Sequence, residues 1–179
     1  HIIVAATHTH SGPSTCFGYN PIEDKYVEEL CGKLVAVAAE AVKNLQPAAA
    51  GFGMGKETTI SHYRRLMTTE GRVVMNWETY PPEKIVGPLG VIDPDVGVLK
   101  LVDAAHPETV RCLLFNQTGH PNVMSGENFL FSADYPGAAM RILRERFGGM
   151  ASFVNGAQGS VDIDGLRDRD WEGVERLGK

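Results

Sequence analysis

The chain has only three cysteines in 179 residues, Cys16, Cys31 and Cys112. They make no even-numbered disulfide framework and no Cys-x-x-Cys spacing, so they read as buried or incidental thiols and leave the compartment undecided. No run approaches the roughly 18 apolar residues of a membrane-spanning helix. Positive charge is scarce too. With 17 Lys and Arg against 22 Asp and Glu the net charge is −5, which argues against nucleic acid as a partner, since such domains usually show a basic patch or stripe. Of the basic clusters, the spaced Arg141, Arg144 and Arg146 read as the solvated face of a helix. Internal repeats, linkers and low-complexity tracts are absent, as are an initiator methionine and a signal segment. The sequence opens inside a β-branched run and stops part-way through helical sequence. The expectation is therefore an excerpt, with 1–179 forming part of a single larger domain incomplete at both ends.

What the chain does have is an apolar fraction of 43%, enough for a core. The run His1-Ile2-Ile3-Val4-Ala5-Ala6 predicts a strand buried on both faces. Asn20-Pro21-Ile22-Glu23 predicts a helix start, with Asn20 as cap and Glu23 at capping-box spacing, and an apolar stripe from Ile22 to Leu45 follows. Strands are expected at 48–55, 72–77, 96–103, 109–116 and 151–155, the glycines of the first marking close backbone contact. Long Pro/Gly-rich and polar segments lie between some of them. A helix capped by Asp134 or a neighbour runs to Phe147 and stops at Gly148. This order predicts an α/β (α+β) fold, with mixed β-sheet layers flanked by helices.

The chemistry gathers where apolar strands end. In "ATHTHSGPS", residues 6–14, His8 and His10 are two apart, so on a strand both would project from one face. Ser11-Gly12-Pro13 then breaks the strand. Such a pair is either a metal site, His being the commonest metal ligand, or a hydrogen-bonded strand end. His120 follows the strand at 109–116, and the Gly156–Ser160 turn follows the strand at 151–155. Ligands of open α/β sheets bind in the crevice beyond the carboxyl ends of the strands, so this agreement favours a metal. A catalytic zinc usually takes three protein ligands and keeps one open position. Glu127, Asp134 and Asp162 are candidates for the third, but each has a plainer role: Glu127 and Asp162 as loop polars, Asp134 as a helix cap.

The segment "THTHSGP" resembles the His-Thr-His-Ser-Gly-Pro segment of the neutral/alkaline, non-lysosomal ceramidases and their bacterial relatives. "FNQTGHPNVM", "FSADYPGAA" and "NGAQGSVDI" resemble, in order, three further segments of that family, so the similarity covers nearly all of the chain. The resemblance implies a zinc amidase that cleaves N-acylsphingosine or a related lipid amide with a metal-activated water. It puts His8 and His120 on two Zn2+-ligand positions and His10 on the histidine that contacts water or substrate. Arg64, within "SHYRRL", falls on a substrate-side arginine, although Tyr63 replaces the family's asparagine. Asp134 and the Gly156–Ser160 turn fall on the substrate side. A glutamate and a tyrosine would complete the ligand set from segments C-terminal to residue 179. A secreted or periplasmic location is favoured by the resemblance only.

One departure bears on mechanism. Gly156 stands where the family has a serine proposed as nucleophile or substrate contact, and Ser160 where it has aspartate. Metal-activated water needs no serine, so hydrolysis survives this substitution. Two other His-x-His enzyme classes fit less well. TIM-barrel amidohydrolases would need further strand-end His and Asp residues at regular intervals, and metallo-β-lactamase-like hydrolases an Asp-His shortly after the motif. The rival of a different kind is a non-catalytic binding domain that keeps the fold. Gly156 favours it; His8, His10 and His120 together count against it.

Overall fold

Three of the apolar segments of this chain, 96–103, 110–117 and 150–155, pair in one sheet with the strand at 48–56. The computed structural model describes residues 2–16, 20–124, 126, 128–163 and 169–179. Its elements are α1 (Asp24–Lys43), β1 (Ala48–Lys56), β2 (Ser61–Tyr63), β3 (Arg65–Thr68), β4 (Val73–Met75), β5 (Ile85–Pro88), β6 (Asp95–Asp103), β7 (Val110–Gln117), α2 (Asp134–Phe147), β8 (Met150–Asn155), β9 (Val161–Ile163) and α3 (Trp171–Leu177). The main sheet has the order β1-β6-β7-β8. Its first two pairings are antiparallel, and β7 and β8 run parallel. Smaller sheets join β2 to β9, and β3 to both β4 and β5. The predicted α+β class with mixed sheet layers is the one observed.

The parallel pairing positions the site. Parallel neighbours need a crossover, here made through α2, so β7 and β8 end side by side and deliver residues 118–122 and 156–160 to the same edge. Along β7 the buried positions alternate, Leu113, Phe115 and Gln117 facing inward, as the period-2 side-chain rule requires. Phe115 pairs with Phe153 of β8, their ring centroids 5.2 Å apart. Tyr135 and Ala138 of α2, Val174 and Leu177 of α3, Ile163, Val123 and Met124 complete the core. The Tyr135 hydroxyl donates to Gln117 Oε1 at 2.6 Å, so the polar end of β7 is satisfied inside.

Several expectations are corrected. Residues 2–6 form no strand and lie exposed: a β-branched run becomes a strand only where a ladder partner exists, and none of the described residues supplies one. The first helix starts at Asp24, with Glu23 and not Asn20 at its N-cap and no side-chain cap bond. The Glu23 amide donates to the Ser14 carbonyl at 2.9 Å, which ties 20–23 to the preceding loop. No residue of α1 is buried, so its apolar stripe remains open. Among the described residues the glycines of β1 meet no close approach; nothing there lies within 4 Å of where a Cβ would stand at Gly51, Gly53 or Gly55. Of the two placements expected for the cap of α2, the neighbour is the one observed: Ala133 is the N-cap and Asp134 the first helical residue. The Pro/Gly-rich stretch before β6 contains β5, which pairs with β3. Among the described residues, no helix is long and apolar enough to cross a membrane.

Candidate metal centre

Without a strand at 2–6, the convergence of His8 and His10 needs another cause. His8 takes a left-handed backbone conformation, φ 64°, unusual for a residue with a side chain. The segment around it is held by hydrogen bonds to other parts of the fold. Asn155 Nδ2 donates to the Thr7 carbonyl at 3.1 Å, and Thr9 Oγ1 donates to the Ser132 carbonyl at 2.7 Å. The His10 amide donates to the Pro121 carbonyl at 3.1 Å. His120 is placed from the opposite side, its amide bonded to the Val161 carbonyl at 3.0 Å.

The rings meet edge to face. Centroids are 4.7 Å apart for His8 and His120, 5.0 Å for His8 and His10, and 5.2 Å for His10 and His120. His8 Nε2 lies 3.0 Å from His120 Nε2 and 3.3 Å from His10 Nε2. Two nitrogens on one tetrahedral zinc, each about 2.0–2.1 Å from it, stand about 3.4 Å apart. The spacing is therefore close to what one ion would impose. One ring nitrogen from each of His8, His10 and His120 lies within 4.8 Å of the others, and these three could hold a metal ion.

Chemistry of the donors agrees with that spacing. His120 Nδ1 lies 2.9 Å from the Gln158 carbonyl oxygen. A carbonyl only accepts, so Nδ1 carries the proton and Nε2 presents its lone pair to the other rings, the arrangement metal-bound histidines commonly use. Loss of hydration holds the His120 pKa below the usual value, with the Gln158 bond working in the opposite direction. His10 is lowered to about 4, first by loss of hydration and then by the charges of His120, His8 and Arg64. Both rings are thus neutral, and free to ligate, at ordinary pH.

The other predicted residues fall as follows. Arg64 reaches the edge of this group: Nη2 donates to the Gly159 carbonyl at 2.7 Å, and Nη1 lies 3.5 Å from Asp162 Oδ1. Its guanidinium carbon stands 5.2 Å from the centroid of the Trp77 ring. Arg65, its neighbour, is exposed on β3. Ser160 meets Arg64 through the backbone, its carbonyl accepting the Arg64 amide at 2.9 Å. Gly156 faces inward: a Cβ there would overlap Thr118 Oγ1 and stand 3.1 Å from Thr118 Cβ. Asp134 is buried, its carboxylate accepting from the Met124 amide at 3.1 Å and the Tyr135 amide at 2.8 Å. Among the described residues neither Asp134 nor Asp162 joins the three histidines as a ligand. Glu127 lies outside the described residues.

Asp162 is the residue that sequence reasoning undervalued. It is not a loop polar but a fully buried member of β9, set opposite His62 of β2. The signal that could have found it is a carboxylate between two β-branched apolar residues, Val161 and Ile163. Gln158 was also missed, because its contribution is a backbone carbonyl that any residue type would supply.

No protein-family model matches this sequence. No curated protein matches it either. Solved structures do. A neutral ceramidase from Pseudomonas aeruginosa superposes with a TM-score of 0.71 at 21% identity, over 97% of this chain and 29% of that one. A structure described as a ceramidase complexed with C2 gives the same TM-score and identity, over 97% of this chain and 28% of its own. The chain thus spans less than a third of the length of these relatives, and over nearly all of its own length it has the fold of part of a ceramidase.

Proposed function

We propose that this chain carries part of the active site of a zinc-dependent hydrolase that cleaves an amide, in an N-acylsphingosine or related N-acyl lipid, to a fatty acid and an amine. The observation that carries the reading is the meeting of His8, His10 and His120 nitrogens at 3.0 and 3.3 Å within a ceramidase-like fold. His8 and His120 would hold the ion, and further ligands would come from outside the described residues. When bound, zinc supplies Lewis acidity, acidifying water and polarising a carbonyl.

The chain's own residues divide the remaining work. A ring with a pKa near 4 is a weak base at neutral pH, and catalytic bases work best with a pKa near the operating pH. His10 therefore serves to accept a hydrogen bond at Nε2 and orient the attacking water. Arg64 offers a permanent positive charge and forked N–H donors to the charge that develops on the substrate carbonyl oxygen. The Gly156–Ser160 turn supplies backbone on the substrate side, and no side chain at 156 competes for that role. A secreted or periplasmic location accompanies the proposal and is open to cell fractionation.

The test uses the full-length protein with N-acylsphingosine as substrate. Chelation should abolish release of fatty acid and added zinc should restore it, while Ser160→Ala should leave most of the activity. A trapped acyl-serine at 160, or full activity after exhaustive metal removal, would overturn the mechanism. Zinc binding without turnover of any lipid amide would favour the binding-domain reading.

A further inference from the structure

Asp162 has 0% of its surface exposed, and burying a carboxylate costs several kcal/mol unless partners compensate. Its neighbours Val161 and Ile163 are each about as buried, at 2% exposed, so an apolar residue would suit the packing of β9. The partners are few. Oδ1 accepts from Asn122 Nδ2 at 3.2 Å and lies 3.5 Å from Arg64 Nη1, while Oδ2 is buried with no hydrogen-bond partner among the described residues.

Arg64 is fixed from several directions at once. The Gly159 carbonyl takes Nη2, Asp162 faces Nη1, and the Trp77 ring lies against the guanidinium. The backbone reinforces the pair: His62 stands opposite Asp162 in the β2–β9 ladder, and the Arg64 amide bonds to the Ser160 carbonyl. The side chain is still 20% exposed, so it is not sealed from solvent. The pair adjoins the histidine group through the backbone: Gly159, which takes Nη2, follows Gln158, whose carbonyl faces His120 Nδ1, and Asp162 follows Val161, whose carbonyl accepts the His120 amide.

Resting on the hydrolase reading, we infer that Asp162 is a positioning residue that locks the Arg64 guanidinium in the orientation serving the histidine group. It acts through Arg64 and touches no reacting atom. Without Asp162 the guanidinium keeps the Gly159 bond and the Trp77 face but loses the anchor at Nη1, so the two arms of the fork are no longer fixed together.

Two measurements on the full-length protein decide this. In a double-mutant cycle on N-acylsphingosine hydrolysis, Asp162→Asn should lower kcat about 10-fold with zinc content unchanged, yet less than about 2-fold when Arg64 is already Ala. In 15N-arginine NMR of the metal-free protein, the Arg64 resonance, identified by its loss in Arg64→Ala, should show restricted Nη rotation that Asp162→Asn releases. Equal fold losses in both backgrounds, or a guanidinium still locked in Asp162→Asn, would overturn the inference. If the unsubstituted protein hydrolyses no lipid amide, the hydrolase reading fails, and the NMR measurement alone decides whether Asp162 locks Arg64.

Discussion

His120 Nδ1 is hydrogen-bonded to the Gln158 carbonyl at 2.9 Å, and this bond turns His120 Nε2 toward His8. The acceptor is main chain, so the side chain at 158 should be dispensable. Gln158→Ala should leave zinc affinity within about threefold, whereas losing an outer partner that acts through its side chain typically costs 10–100-fold. His8→Ala and His120→Ala should each lose the ion at stoichiometric zinc. Calorimetric titration of the metal-free protein measures all three.

Arg64 and Arg65 are adjacent in sequence and separate in setting. Arg64 lies against Gly159, Asp162 and Trp77, whereas Arg65 is exposed. On the proposed hydrolase reading, Arg64→Ala in the full-length protein should lower kcat/KM by about 100-fold, the scale of one lost charge-stabilising donor. Arg65→Ala should change it less than about twofold, as surface substitutions generally do. Steady-state kinetics of the two variants side by side is the measurement; equal effects would leave Arg64 without a special role.

Gly156 leaves no room for a side chain. Gly156→Ala forces its Cβ onto Thr118 Oγ1, and overpacking of this kind costs about 1–3 kcal/mol. Adding Thr118→Ala should recover part of the loss, because it removes the obstructing oxygen. Full recovery is not expected, since the Cβ that alanine keeps at 118 would still lie 3.1 Å from the new carbon. Urea unfolding of the single and double variants reads this out.

Asp134 ties residues 123–124 to the start of α2, and burial pushes its carboxyl pKa up against the backbone donors that pull it down. A pKa raised on folding means that the neutral acid is favoured in the native state. Its contribution is complete below the unfolded value, near 3.8, and declines as pH rises through the raised native value. Asp134→Ala should destabilise by about 1–3 kcal/mol through the orphaned Met124 amide. The difference from the unsubstituted protein should narrow as pH rises through that window. Denaturation midpoints at a series of pH values test the sign.

The strands and helices with regular burial were readable from sequence. β6, β7, β8 and α2 announce themselves by apolar runs, alternation and the glycine at 148, whose φ of 71° ends α2. The run at 2–6 has the same composition and forms no strand, because composition records a preference and not the presence of a partner. His8 and His10 were expected together through strand geometry. They stand together because His8 turns left-handed and its neighbours are bonded to Asn155, Ser132 and Pro121. Three-residue strands such as β2 and β9 were beyond periodicity altogether. Their pairing joins positions about a hundred residues apart, and with it the Arg64–Asp162 contact stayed hidden.

His8 and His120 are 112 residues apart in sequence, and this distance makes the centre a reporter of folding. In the unfolded chain, bringing these imidazoles together means closing a very long loop before any coordination bond is gained. An ion that prefers the assembled triangle therefore binds the native state almost exclusively. Free metal at 100 times its dissociation constant would then add about 2.7 kcal/mol to the stability of the whole chain. Occupancy of the site, followed with a coloured substitute such as cobalt, would register both global unfolding and release of the 7–10 segment from Asn155, Ser132 and Pro121.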